Sequence, residues 1–388
     1  MTVWDELTGQ DEAIAVFRAA AGPQTPGSES MTHSWLITGP PGSGRSNLAY
    51  AFATALLSRE GADGDALTQR QVEAKTHPDL AVLTTEKVII SIEEVRKLVS
   101  SSHFSPSVGR YRVMVIEDAD RMVERTSNVL LKALEEPPER TVWILCAPSE
   151  ADLIPTIRSR VRSVRLRVPS ITEVATLIQR RDGVNAETAE RAAREAQSHI
   201  GMAHRLATNE DARARRDETL RLALGIHSVP SAVTAAARLL EVAGDDAKAI
   251  TIERDEQERS HALRSLGVEI GQAVPLALRS QLKTLEEDQK RRATRSLRDG
   301  LDRILVDLLS LYRDILLSQL HSGLDTINSA IQPRVDAAAA SMRPEATVAI
   351  LDALATARRR ISANVAPALA LESALITIAR GDSSSVND

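Results

Sequence analysis

Between Gly39 and Ser46 the chain reads GPPGSGRS, two glycines with four residues between them, then a basic residue and a hydroxyl. The spacing is that of G-x-x-x-x-G-K-[ST], with Arg45 standing where lysine is usual. Gly39, Gly42 and Gly44 let the backbone make turns that a Cβ forbids, so that successive N–H groups can gather round an anion. The chemistry this predicts is phosphate binding. A helix beginning near Arg45 adds the positive end of its dipole, and Ser46 supplies the hydroxyl that would ligate Mg²⁺. Guanidinium keeps lysine's charge but not its compact fit, so the substitution spares binding more than hydrolysis. A glycine turn without any ligand is the plainer reading of the same eight letters.

A second pair of groups tests that chemistry. RVMVIED ends in Glu117-Asp118, where a hydrolytic site wants an Asp for the Mg²⁺ shell and then a Glu to polarise the attacking water. Both carboxylates are present in inverted order. An Asp at the base position stands about 1.5 Å short of its water, a misplacement that is costly to catalysis. Alternatively, the two carboxylates simply cap the helix that follows.

These residues need strands and helices to hold them. SWLITG (34–39), LAVLTT (80–85), RVMVIED (112–118) and TVWILCA (141–147) are short apolar runs, each followed by a turn or a helical pattern. That alternation predicts an α/β domain with a largely parallel sheet, ending near Pro169. Beyond it the pattern is helical. Ser170 is placed to cap ITEVATLIQRR, and helical segments flank Gly201. In 295–317, Leu297, Leu301, Ile304, Leu305, Leu308, Tyr312 and Ile315 recur at helical spacing, with Asp302, Arg303, Asp307 and Asp314 between them. Such a stripe packs an internal bundle, or else receives a partner helix. The final GDSSSVND is expected to be disordered.

The 388 residues are 43% hydrophobic and 26% charged but only 2% aromatic, which suits aliphatic-faced helices in two or three domains. A net charge of −5 excludes a protein that coats nucleic acid along its whole surface and leaves only a local contact. One cysteine, Cys146, excludes an intramolecular disulfide. No apolar run is long enough for a membrane span. MTVWDELTGQ has early acidic residues and no apolar stretch, so no secretory signal is expected and the cytoplasm is the expected compartment.

The segment 127–163 is more specific than either phosphate-site motif. Its LLKALEEPP (130–138) and TIRSR (156–160), with GPPGSGRS and THPDL (76–80) before them, resemble the delta-prime family of bacterial DNA polymerase III clamp-loader subunits, in the AAA+ superfamily. NVAPALALESALI (364–376) is similar to the end of that family's helical collar. The resemblance implies an α/β P-loop AAA+ core with a parallel sheet (1–169), a small helical lid (170–213) and an all-α collar that mediates oligomerisation (214–380), then the tail (381–388). It implies that Ser159-Arg160-Val161 matches the family's S-R-C element, so that Arg160, beside Ser159, serves as an arginine finger in a neighbouring subunit's nucleotide site. A surface charge is the plainer reading of Arg160. Arg158, Arg162, Arg165 and Arg167 are left as surface, partner or DNA contacts.

Departures from the family's pattern shape the rest of the expectation. Many relatives hold zinc with four cysteines, whereas 58–79 contains none; His77 alone cannot do so, and no zinc is expected. The sensor-1 position falls on Pro148 or Ser149. The sensor-2 pattern aligns with Gly201-Met202-Ala203-His204 and leaves Arg205 one place late, about 100° round the helix. ATP or ADP, with Mg²⁺ on Ser46 and Glu117, would then be a weak or structural ligand of Gly39, Gly42, Gly44, Arg45 and Ser46. The function implied is an accessory clamp-loader subunit in a hetero-pentamer with gamma/tau and delta, acting on the sliding clamp and primed DNA, with little or no ATPase of its own and no membrane. A self-sufficient gamma/tau-like motor ATPase and a nucleotide-independent DNA-binding module are the alternatives.

Overall fold

Runs of Val, Ile and Leu buried on both faces need parallel neighbours and helices above and below, and the first unit of the chain is built that way. The computed structural model describes residues 2–5, 7–23, 30–59, 61–85, 89–265 and 279–383, and the side chains of 250–293 lie outside that description. Two compact units result, Met1–Thr208 and Asn209–Asp388.

In the first unit α1 (Asp11–Ala21) leads to β1 (Ser34–Thr38), α2 (Arg45–Leu57), α3 (Ala66–Glu73), β2 (Leu80–Leu83), α4 (Ile92–Ser102), β3 (Arg112–Ile116), α5 (Glu124–Glu135), β4 (Thr141–Ala147), α6 (Pro155–Arg158) and β5 (Arg162–Arg165). The sheet is parallel throughout, in the order β2-β3-β4-β1-β5. Trp35, Ile37, Val113, Val115, Val142 and Ile144 pack with α1 and α2 on one face. Leu36, Met114, Ile116, Trp143 and Leu145 pack with α4 and α5 on the other. Phe17, Trp35 and Phe52 lock α1 and α2 to the sheet, with ring centroids 4.5 to 5.5 Å apart.

Four of the five strands are those the apolar runs predict. The fifth, β5, lies at the edge of the sheet, where one buried face suffices and charged side chains protect the other. Its Val164 and the following Leu166 are buried, while Arg162, Arg165 and Arg167 face outward. Residues read from sequence only as a basic patch therefore include a strand.

Three further helices, α7 (Ile171–Asp182), α8 (Ala186–Glu195) and α9 (Ile200–Thr208), complete the first unit. Ser170 caps α7 in a reciprocal box with Glu173. Arg167 grips the same carboxylate, Nη1 to Oε2 at 2.9 Å and Nη2 to Oε1 at 2.5 Å, and with the Ser170 donors lowers its pKa to about 2.

The second unit holds α10 (Glu210–Leu224), α11 (Val229–Ser265), α12 (Arg279–Gln319), α13 (Gln332–Ser341), α14 (Pro344–Ser362) and α15 (Pro367–Ser383). Arg213, where the sequence reading ended the lid, falls inside α10, and the division between units comes at Thr208/Asn209. Leu301, Ile304, Leu305, Leu308, Tyr312 and Ile315 of α12 are buried in one core with Leu239, Leu354, Leu371 and Leu375, and Leu297 packs against it. The stripe thus serves the bundle. Of the expected tail, Gly381–Ser383 belongs to α15, and 384–388 lie outside the described residues. No described helix is long and apolar enough to cross a membrane.

Candidate functional site

The loop Gly39–Ser46 joins β1 to α2 at the carboxyl ends of the strands, where open parallel sheets present their ligand sites. Gly42 and Gly44 have φ of 80° and 90°, left-handed values that favour glycine. Gly44 is also the N-cap of α2, and it leaves the first turn without a side-chain cap, a geometry that suits an anion. A Cβ at Gly42 would stand 2.2 Å from His199 Cγ, because the imidazole packs directly on the loop. Ile200 N–H, at the start of α9, donates to Gly42 O at 3.3 Å. Arg45 turns back, its Nη1 donating to Gly39 O. Its guanidinium is engaged with its own loop, and the compact reach of a lysine is not reproduced.

Glu117 lies just beyond β3, where its N–H donates to Leu83 O at 3.1 Å. Its carboxylate gathers three donors: Ser46 Oγ to Oε2 at 3.3 Å, Lys75 Nζ to Oε1 at 2.9 Å, and the Tyr50 hydroxyl to Oε1. Burial, helped by Glu117, pushes the Tyr50 pKa far above the usual phenol range, so it remains a donor. Ser46 and Glu117 are thus brought together, as the sequence reading required of a Mg²⁺ pair. Their donor set suits an ammonium better than a dication, since Lys75 already neutralises the carboxylate. Among the described residues no group of three or more His, Cys, Asp or Glu could hold a metal.

Asp118 pairs with Arg121 Nε at 3.5 Å. It precedes the 3-10 turn Ala119–Arg121 without capping it through its side chain, and α5 is preceded by Val123, so the helix-capping alternative for Glu117 and Asp118 does not hold. Cys146, in β4 behind the loop, is fully buried, and burial pushes its thiol up to about 12. Pro148 O accepts Gly39 N–H at 3.2 Å, while Ser149 caps the turn Glu150–Asp152. His204 Nδ1 lies 2.8 Å from Asp182 Oδ2. These sensor positions are occupied with local structure.

THPDL proves to be a fastening. His77 Nδ1 accepts Asp79 N–H at 3.1 Å. The buried Asp79 carboxylate accepts from Ser107 N, Val108 N and Gly109 N, each at 2.7 Å, and from Ser107 Oγ at 2.9 Å. Burial works to raise its pKa, but the donors of Gly109, Ser107 and Val108 outweigh it and hold the group below its ordinary value of 3.8. Because the folded value is depressed, this stabilisation is full above the unfolded value and fades as pH falls through the folded one. Asp79→Asn is expected to cost about 3 kcal/mol at neutral pH by stranding buried donors. Urea unfolding followed by the fluorescence of Trp4, Trp35 and Trp143, all in the first unit, should show the gap to wild type narrowing between pH 5 and 3.

Arg160 sits between α6 and β5. β5 runs parallel to β1 with Arg162 opposite Trp35, so Arg160 lies at the amino ends of the strands and Gly39–Ser46 at their carboxyl ends. A five-residue strand, about 16 Å long, separates them. Arg160 Nε donates to Glu135 Oε1 at 2.6 Å, and Nη2 reaches the same oxygen. Nη1 donates to Thr156 O at 2.8 Å and Ser159 Oγ at 3.1 Å. Four contacts fix the plane of the guanidinium while its side chain stays 31% exposed. Arg158 and Arg165 are exposed, and Arg162 stacks 5.1 Å from the Trp35 ring while donating to Ser30 O.

The structure therefore unites Gly39, Gly42, Gly44, Arg45, Ser46 and Glu117, and sets Ser159 and Arg160 apart from them. Tyr50, Lys75, Glu135 and His199 were not singled out from the sequence. Tyr50 had a signal, being four residues after Ser46 on α2 and so on the same face. Glu135 lay within LLKALEEPP with no role assigned, and nothing in the spacing pointed to Lys75 or His199.

Residues 11–170 match the family model described as DNA polymerase III, delta subunit. The chain is 35% identical over 153 residues to DNA polymerase III subunit delta' of Pseudomonas aeruginosa, covering 38% of this chain and 47% of that protein. Against the Escherichia coli K12 subunit delta' the identity is 31% over 205 residues, 51% of this chain and 60% of the relative. The gamma subunit of Buchnera aphidicola is 32% identical over 142 residues, 36% of this chain and 39% of its own length. The chain spans about half the length of the curated relatives it matches. Over residues 11–170 the chain is thus similar to the delta-prime and gamma/tau subunits of bacterial DNA polymerase III.

Proposed function

We propose that the chain is a delta-prime-like accessory subunit of the replicative clamp loader, lending Arg160 to the nucleotide site of a neighbouring subunit. The observation that carries this reading is the placement of Arg160: held by Glu135, Thr156 and Ser159, partly exposed, and a strand's length from the loop Gly39–Ser46. A guanidinium there serves another chain's phosphates more readily than its own. The home loop supports the same view, since Arg45 is turned onto Gly39 O, Glu117 is taken up by Lys75, Tyr50 and Ser46, and Asp118 faces Arg121. Hydrolysis by this chain alone is then slow or nil, and ATP or ADP in the loop is a weak or structural ligand.

The partners on this reading are gamma/tau and delta subunits in a cytoplasmic hetero-pentamer, with the sliding clamp and primed DNA reached through the assembly. On this reading α7 to α9 act as the lid and the helices from α10 onward as the collar. Reconstitution tests it. Added to gamma/tau and delta subunits, the chain should enter a stable complex and restore DNA-stimulated ATP hydrolysis and clamp loading. Failure to co-assemble sinks the reading. Turnover of ATP by the chain alone at the assembly's rate favours the motor alternative, and tight, salt-sensitive binding of primed DNA by the chain alone favours the DNA-binding module.

A further inference from the structure

We propose that Lys75 holds the cation position of the Gly39–Ser46 site, so that this chain keeps Mg²⁺ off Glu117 by placing an ammonium there. The two groups expected to ligate the dication are Ser46 and Glu117. Glu117 Oε1 already takes Lys75 Nζ at 2.9 Å together with the Tyr50 hydroxyl, and Oε2 takes Ser46 Oγ at 3.3 Å. Mg²⁺ demands a near-octahedral set of oxygens at about 2.1 Å. A dication on this carboxylate would stand within a few ångström of the ammonium and be repelled by it.

Lys75 is placed for this contact by more than chance. It follows α3 with φ of 56°, a left-handed value that costs energy for a residue with a Cβ. Its N–H donates to Val72 O at 2.9 Å, and its ammonium lies 5.5 Å from the centroid of the Tyr50 ring, a cation–π contact. The left-handed residue ends α3, with Thr76 N–H closing back on Gln71 O at 2.8 Å, and from there the side chain reaches both Glu117 and the Tyr50 ring. Lys75 thus balances the charge of Glu117 from within the chain, while Arg45 is held by the uncharged Gly39 O. None of these residues is shared with Arg160, so the two readings stand or fall separately.

The test uses the full chain and Mn²⁺ as the probe, with free Mn²⁺ followed by electron paramagnetic resonance, with and without saturating ADP. Lys75→Gly removes the ammonium and suits the left-handed backbone, so the fold should be kept, as a thermal melt will check; Lys75→Arg retains the charge. Once the Mn²⁺ held by ADP in the same solution without protein is subtracted, wild type and Lys75→Arg should take up Mn²⁺ no more tightly than about 1 mM under either condition. Lys75→Gly should bind it at least about tenfold more tightly when ADP is present. Wild-type uptake as tight as that of Lys75→Gly overturns the proposal. So does a Lys75→Gly variant that gains nothing.

Discussion

Arg160→Ala should slow ATP hydrolysis at the neighbouring site by about 10³-fold or more while leaving assembly of the loader intact. The magnitude is that of a guanidinium withdrawn from the charge that develops on a transferring phosphoryl group. Assembly should survive because Arg160 is a partly exposed turn residue whose contacts, to Glu135, Thr156 O and Ser159, all lie within one surface cluster. Arg160→Lys should recover little, since an ammonium keeps the charge but loses the planar fork that Glu135 and Thr156 now orient. The measurement is single-turnover hydrolysis in the reconstituted complex, with pull-down as the control for assembly. An unchanged rate with an intact complex removes Arg160 from the chemistry. Glu135 is the group to watch beside it, because on the proposed reading Arg160 must leave or share that carboxylate to meet a phosphate.

Arg216→Ala should destabilise the second unit by about 3–5 kcal/mol, the usual cost of removing one partner from a buried ionic network. Arg216 is buried in α10. Its Nε donates to Asp307 Oδ1 at 3.1 Å and its Nη2 to Asn328 Oδ1 at 2.6 Å. Asn328 Nδ2 in turn reaches Ser310 Oγ at 3.2 Å and Asp314 Oδ2 at 2.8 Å, and Asn328 N–H donates to the same Asp314 oxygen at 2.7 Å. One arginine thus ties α10, α12 and the segment before α13 together. The three tryptophans all belong to the first unit, which makes the effect separable. Far-UV circular dichroism should reveal an earlier transition in urea, with the tryptophan midpoint unmoved. Loss of both signals together would mean that the units unfold as one.

The parts of the fold that were legible are those where a single physical signal dominates. Strands β1, β3 and β4 announce themselves because burial on both faces demands continuous apolar residues, β2, the other edge strand, because LAVL stays apolar though half buried, and α12 because its stripe keeps helical spacing to the core. β5 was hidden because an edge strand tolerates arginine on its outer face, and Val164 and Leu166 are too few to form a run. At the site, the glycines and Ser46 were legible through spacing that backbone geometry requires. Lys75 was not, because its approach to Glu117 depends on one left-handed residue after α3, and Glu135 was not, because a carboxylate in a helix is ordinary until the fold sets a guanidinium against it. THPDL carried only the family resemblance in sequence, and its physical work, Asp79 fastening 107–109, needs the fold to be seen.

The strand order also governs when the phosphate loop can exist during synthesis. β1 is made early, yet its two neighbours are β4 and β5, so it leaves the ribosome with both edges unpaired and waits until Ala147 and then Arg165 have been made. The loop that follows it is tied in at the same two moments, by Pro148 O to Gly39 N–H and then by Leu166 N–H to Thr38 O, and His199 and Ile200 close over it last. At translation rates of about 5–20 residues per second, a hydrophobic strand stays unsatisfied for several seconds. A nascent chain stalled before Arg165 should therefore be a substrate for chaperones, and one released after Thr208 should not.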